Sequence, residues 1–138
     1  MKIICVGRNY ASHIEELDNE KPADPVLFMK PNTSIIPKDQ PFVIPEFSKD
    51  IHYEVELLIK ICKNGKYIDT SFAKNYYQEI GLGIDFTARD LQTKLKKAGL
   101  PWEKAKAFDR SACIGQRWLP VEDLDVNDTH FSLQLNGQ

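Results

Sequence analysis

Apolar and polar residues alternate along this chain mostly in short runs, and the runs predict strands more often than helices. Lys2 to Val6 is a short buried strand ending at Gly7. Tyr10 to Leu17 can form a short helix, although its apolar face is thin. Residues 18–25 are polar and carry two prolines, the composition of a surface loop. Val26-Leu27-Phe28-Met29 is a buried strand that Lys30-Pro31 stops. Residues 37–50 hold three prolines and several charges, which predicts short edge strands and turns. Ile51 to Cys62 is the clearest strand of all, and Asn64-Gly65 behind it is a hairpin signal.

Ser71 to Tyr77 predicts a short helix, and Ile80 to Phe86 a strand whose two glycines, Gly81 and Gly83, let another backbone come close. Thr87 is placed to cap a helix running to Leu95–Ala98, ended by Gly99 and Pro101. Residues 102–118 read as irregular, and Leu119-Pro120-Val121 opens a further loop. His130 to Leu135 alternates as a half-buried strand and runs into Asn136-Gly137, a type I′ turn signal. Only Gln138 follows, so the pattern predicts a chain cut off within a hairpin. There is no internal repeat and no low-complexity tract.

Composition narrows the class. The 138 residues suit one modest domain, 1–138, with its own core. Hydrophobic residues at 42% and charged residues at 28% describe an ordinary soluble globular protein. A net charge of −2 offers no footprint for nucleic acid. No apolar run approaches the roughly 18 to 20 residues that cross a bilayer, and Met1 to Gly7 is too short an apolar stretch for a signal peptide. Cys5, Cys62 and Cys113 are odd in number and widely spaced, which fits reduced thiols in a cytoplasmic protein better than a disulfide frame or a zinc site.

The candidate chemistry begins with His52-Tyr53-Glu54-Val55-Glu56-Leu57. Residues two apart in a strand share a face, so Glu54 and Glu56 project side by side. Two such carboxylates either sit on a solvated face with paired acids or share a hard divalent cation. Asp85 stands between Ile84 and Phe86 in an otherwise apolar strand, where an acid needs a hydrogen bond, a cation or a metal; the plainer alternative is a cap for the helix that follows. Two Glu and one Asp form an all-oxygen set that suits Mg²⁺ better than zinc.

Five motifs then occur in order: Gly7-Arg8-Asn9-Tyr10-Ala11-x-His13, Pro25-Val26-Leu27-Phe28-x-Lys30-Pro31, Tyr53-Glu54-Val55-Glu56-Leu57, Asp85-x-Thr87-Ala88-Arg89-Asp90-x-Gln92 and Trp102-x-x-Ala105-Lys106. Together they resemble the fumarylacetoacetate hydrolase family, over nearly the whole chain. The run Lys96 to Trp102 is most similar to the branch of acylpyruvate hydrolases and oxaloacetate decarboxylases. The resemblance implies an α+β, mainly β fold, a mixed β roll or sandwich with a few short helices, incomplete at the C-terminus and usually homodimeric. It lacks a C-terminal portion carrying a Thr-Gly-Thr-Pro-x-Gly loop.

By position, the resemblance makes Glu54, Glu56 and Asp85 ligands of one Mg²⁺ or Mn²⁺. Lys106 falls beside that metal and would stabilise enolate charge, though alone it reads as a surface lysine like Lys104. Arg8 and Gln92 fall in the substrate pocket; Arg8 suits a carboxylate, and by itself equally a structural ion pair. His13 and Glu16, three apart on one helix face, would activate water under a closing lid; without the family match they read as an exposed histidine on a weak helix. The substrate is a small 2-oxo or 2,4-dioxo acid. Hydrolysis of a C–C bond in an acylpyruvate leads, ahead of oxaloacetate decarboxylation and dienoate isomerisation. The rival from another class is an inactive metal- or ligand-binding fragment.

Overall fold

A computed structural model of the chain describes residues 1–10, 22–125 and 128–137. Strand β1 (Ile3–Gly7) pairs antiparallel with β2 (Val26–Lys30), Ile3 opposite Lys30 and Gly7 opposite Val26. The two-residue period sorts their faces. Ile4, Val6, Leu27 and Met29 are exposed, while Phe28 and Lys30 turn the other way. Trp102 packs on that second face, its ring 6.1 Å from that of Phe28 and close against the bare Cα of Gly7.

A second sheet has the order β3 (Ile51–Ile61), β4 (Tyr77–Ala88), β5 (Ala112–Pro120). Helices α1 (Arg89–Lys97) and α2 (Glu103–Lys106) lie between β4 and β5 in the chain. The chain divides into two compact units, residues 1–53 with 86–113, and residues 54–85 with 114–138. In the first, Ala88, Leu95 and Ala105 form a buried cluster, with Ile51, Leu91, Trp102 and Phe108 packed against it. In the second, Ile80 is buried, the Trp118 ring lies on Gly81, and Gly115 lets β5 approach the Leu82 carbonyl. Among the described residues, no helix is long and apolar enough to cross a membrane.

Most predicted strands form, with informative differences. Asn64-Gly65 makes no hairpin turn; β3 and β4 are joined through a 3-10 helix, Thr70–Tyr76, capped by the Asp69 carboxylate on the Ser71 N–H at 2.9 Å. Gly65 serves packing instead, because a Cβ there would stand 2.5 Å from the Tyr76 ring. Residues 102–118 are not irregular: they hold α2 and most of β5. Residues 37–50 form turns without strands, and residues 130–135 form no strand, since no described segment pairs with them. Asn136 and Gly137 nonetheless take the positive φ values, 53° and 83°, that a type I′ turn needs. The short helix predicted over Tyr10–Leu17 lies outside the described residues, apart from Tyr10.

Candidate active site

Strands β3 and β4 run antiparallel, as the ladder contacts at their ends show. Cys62 N–H donates to the Tyr76 carbonyl at 2.9 Å, and Arg89 N–H donates to the Asp50 carbonyl at 2.8 Å. The Lys60–Glu79 ion pair, 2.6 Å, bridges the same strands. Strand β3, which bears Glu54 and Glu56, neighbours β4, which bears Asp85. Glu54 and Glu56 are half-buried on β3, and Asp85 is buried on β4. Among the described residues no group of three or more His, Cys, Asp or Glu side chains is gathered to hold a metal ion. The strands thus place the three acids on neighbouring elements without drawing them into one shell. As a donor set they fit a hard cation: all oxygen, all carboxylate, with room in the coordination sphere for substrate and water.

Lys106 ends α2, and burial is its main surprise. It is 4% exposed, so the surface-lysine alternative is ruled out. Its Nζ donates to Thr87 Oγ1 at 2.6 Å and stands 5.2 Å from the centroid of the Phe28 ring. The predicted capping role of Thr87 is accordingly corrected: Ala88 holds the cap position of α1, and the Thr87 hydroxyl accepts from Lys106. Gly99, at φ 65°, ends α1 as predicted, with Leu100 N–H reaching the Leu95 carbonyl at 2.9 Å.

The residue that sequence reasoning missed is Lys30. It is 2% exposed, and its ammonium donates to the Lys106 carbonyl, to the Ser111 carbonyl at 3.1 Å and to Ser111 Oγ at 3.0 Å. Ser111 Oγ also donates to the Lys106 carbonyl at 2.9 Å. A signal was available. Lys30 shares the inward phase of Val26 and Phe28 on β2, so a lysine there had to be buried and hydrogen-bonded.

Around α1 the positive charges gather. Gln92 is buried and its side-chain oxygen accepts from the Arg89 guanidinium. Burial, then the charges of Arg8 and Arg89, hold the Lys96 ammonium below its ordinary range. Arg8 has φ 55°, a left-handed backbone uncommon for a side chain of its size, and its Nε is buried without a hydrogen bond. In the first turn of α1, Asp90 is held below the ordinary carboxylate range chiefly by the Ser48 hydroxyl at 2.6 Å. His13 and Glu16 lie outside the described residues.

This mainly antiparallel arrangement of strands with few short helices is one that known proteins share over most of the chain. The family model described as fumarylacetoacetate (FAA) hydrolase C-terminal matches residues 2–138, and the chain belongs to the fumarylacetoacetate hydrolase family. Oxaloacetate tautomerase YcgM of Escherichia coli is 41% identical over 139 residues, covering 99% of this chain and 63% of that protein. Mitochondrial oxaloacetate tautomerase FAHD1 of Bos taurus is 38% identical, covering 99% of this chain and 62% of its own length. The crystal structure of fumarylpyruvate hydrolase from Pseudomonas aeruginosa, in complex with Mn²⁺ and pyruvate, superposes with a TM-score of 0.80 at 35% identity, over 88% of this chain and 54% of that one. The chain therefore spans under two thirds of the length of these relatives.

Proposed function

We propose that this chain is the metal-binding part of an enzyme that carries a small 2-oxo acid through its enolate, with keto–enol interconversion of oxaloacetate as the leading reaction. The relatives named oxaloacetate tautomerases, near 40% identity, support the substrate class. The single observation that carries the reading is the buried Lys106 ammonium, bonded to Thr87 on the strand that also bears Asp85.

In this reading Glu54, Glu56 and Asp85 hold one Mg²⁺ or Mn²⁺. When bound, the cation supplies a Lewis acid for the 2-oxo carboxylate and for the negative charge of its enolate. The Lys106 ammonium donates to the enolate oxygen, and its burial strengthens that hydrogen bond. Arg8 and Gln92 take the second carboxylate; the positive charge shared by Arg8, Arg89 and Lys96 suits an anion there. The C3 proton passes to a base and a proton returns to the C2 oxygen, so the step is balanced as an isomerisation. His13, oriented by Glu16, is that base. The enzyme acts as a cytoplasmic homodimer, a state that light scattering measures directly.

Hydrolysis is the second reading, favoured by the likeness to a fumarylpyruvate hydrolase. There the same dyad activates water, which adds to the acyl carbonyl, and C–C cleavage releases pyruvate and a carboxylic acid. Decarboxylation of oxaloacetate and dienoate isomerisation use the same enolate. The test combines Mg²⁺ titration calorimetry with turnover of oxaloacetate, followed by enol absorbance, and of acetylpyruvate. Faster enol–keto exchange supports the first reading, and acetylpyruvate cleavage alone the second. Mg²⁺ binding with no turnover would leave only a binding fragment.

A further inference from the structure

We propose that Lys30 is a positioning residue for Lys106: with the Ser111 hydroxyl it fixes the Lys106 main chain and so sets where the Lys106 ammonium is presented. The inference rests on the reading of Lys106 as the residue that meets the enolate. A lysine head sits at the end of four flexible carbons, so its position is defined only when both ends of the side chain are held. Thr87 holds the outer end, through the 2.6 Å bond to Nζ. The inner end is the weaker point. Lys106 is the last residue of a four-residue helix, where carbonyls run out of intrahelical donors.

Lys30 and Ser111 supply those donors. The Lys30 ammonium and the Ser111 hydroxyl both donate to the Lys106 carbonyl, and Lys30 also donates to the Ser111 hydroxyl and carbonyl. An ammonium carries three N–H donors, so one lysine can serve several of these acceptors together. A positive charge at a helix C-terminus is in addition favoured by the partial negative charge there. Phe28, two residues earlier on the same face of β2, lies under the Lys106 ammonium, so one short strand touches both ends of that side chain. Ser111 is wholly buried, which keeps water from replacing either donor.

The test follows the Lys106 ammonium itself in side-chain ¹H–¹⁵N spectra of the full chain, with its signal assigned by its disappearance in Lys106→Arg. Lys30→Met should shift or broaden that signal while the backbone spectrum stays dispersed and Mg²⁺ binds as before. An unchanged Lys106 signal in folded Lys30→Met would overturn the proposal. Should Lys30→Met not fold, Ser111→Ala removes one of the two donors alone, and its Lys106 signal decides in the same way. With oxaloacetate, Lys30→Met should lower kcat by about ten- to a hundredfold and move KM by less than about threefold, the pattern of a misplaced group. A change confined to KM would also overturn it. Absence of turnover in the unsubstituted protein would instead sink the functional reading, and the ammonium signal would still decide this one.

Discussion

Lys106 and the Glu54, Glu56, Asp85 set belong to different compact units and are held in place by different means. The lysine is fixed by its own chain: a hydroxyl on its ammonium, a second lysine and a second hydroxyl on its carbonyl. Every part of that network is buried. The acids stand on neighbouring strands, and among the described residues no group of three or more such side chains is gathered to hold a metal ion. The contrast has a simple electrostatic cause. Neutral hydroxyls and carbonyls can surround a cation in advance, whereas three carboxylates repel one another and converge only on an opposite charge. On the reading proposed above, Lys106 is the preorganised donor and the carboxylates are the metal ligands, a division of labour that substitution tests.

Two substitutions break the comparison at its extremes. Glu56→Gln should abolish metal-dependent turnover and weaken Mg²⁺ by more than the roughly 10- to 100-fold typical of losing a mere supporting partner of a ligand. Calorimetry showing unchanged Mg²⁺ affinity would remove Glu56 from the ligand set. Lys106→Met should do the reverse, lowering kcat by about 10²–10³ as loss of an oxyanion donor does, with Mg²⁺ affinity intact. Equal loss of metal affinity in both variants would erase the division of labour.

How far the sequence disclosed this arrangement depends on whether a feature is local. Apolar-rich runs marked β2 and β3, and Gly99 marked the end of α1, because each follows from adjacent residues. Features set by distant partners were missed. Thr87 looks like a helix cap until Lys106, nineteen residues later, takes its hydroxyl. Asn64-Gly65 looks like a hairpin until the Tyr76 ring occupies the space beside Gly65. Strand β5 was hidden because Gly115 and the polar residues beside it weaken its alternation, although that glycine is what lets β5 approach β4. The pairing of Glu54 and Glu56 on one strand was legible by spacing, and the cradle of Lys106 was not, since Lys30 and Ser111 are 81 residues apart.

The unit that bears the acids depends on that close approach, which supplies a third prediction. In Gly115→Ala the new Cβ would stand 2.4 Å from the Leu82 backbone oxygen, which cannot move without shifting β4. The cost should be about 3 kcal/mol, at the upper end for overpacking, read as a lower urea midpoint. Gly81→Ala meets the Trp118 ring at 3.0 Å, a side chain able to swing aside, and should cost less. If the order reverses, the acids' unit is not held by backbone contact between β4 and β5.

The smallest effect probes the other unit, at the start of α1, where Ser48 meets Asp90. The Ser48 hydroxyl is the largest cause of the depressed Asp90 carboxyl, ahead of burial, which opposes it, and of the Leu91 and Lys49 N–H groups and the Lys94 charge. A carboxyl depressed in the folded state adds stability above its unfolded range, and that stability is lost as pH falls through the folded value. Ser48→Ala moves the folded value back toward the ordinary range, so the variant should be less stable at neutral pH. The gap to the unsubstituted protein should narrow as pH drops through the acid range where Asp90 becomes protonated in both states. Urea midpoints measured from neutral to acid pH show it. A gap that stays constant across that range would mean that Ser48 stabilises the turn without acting through the Asp90 charge, leaving this unit's preorganisation to Lys30, Ser111 and Thr87.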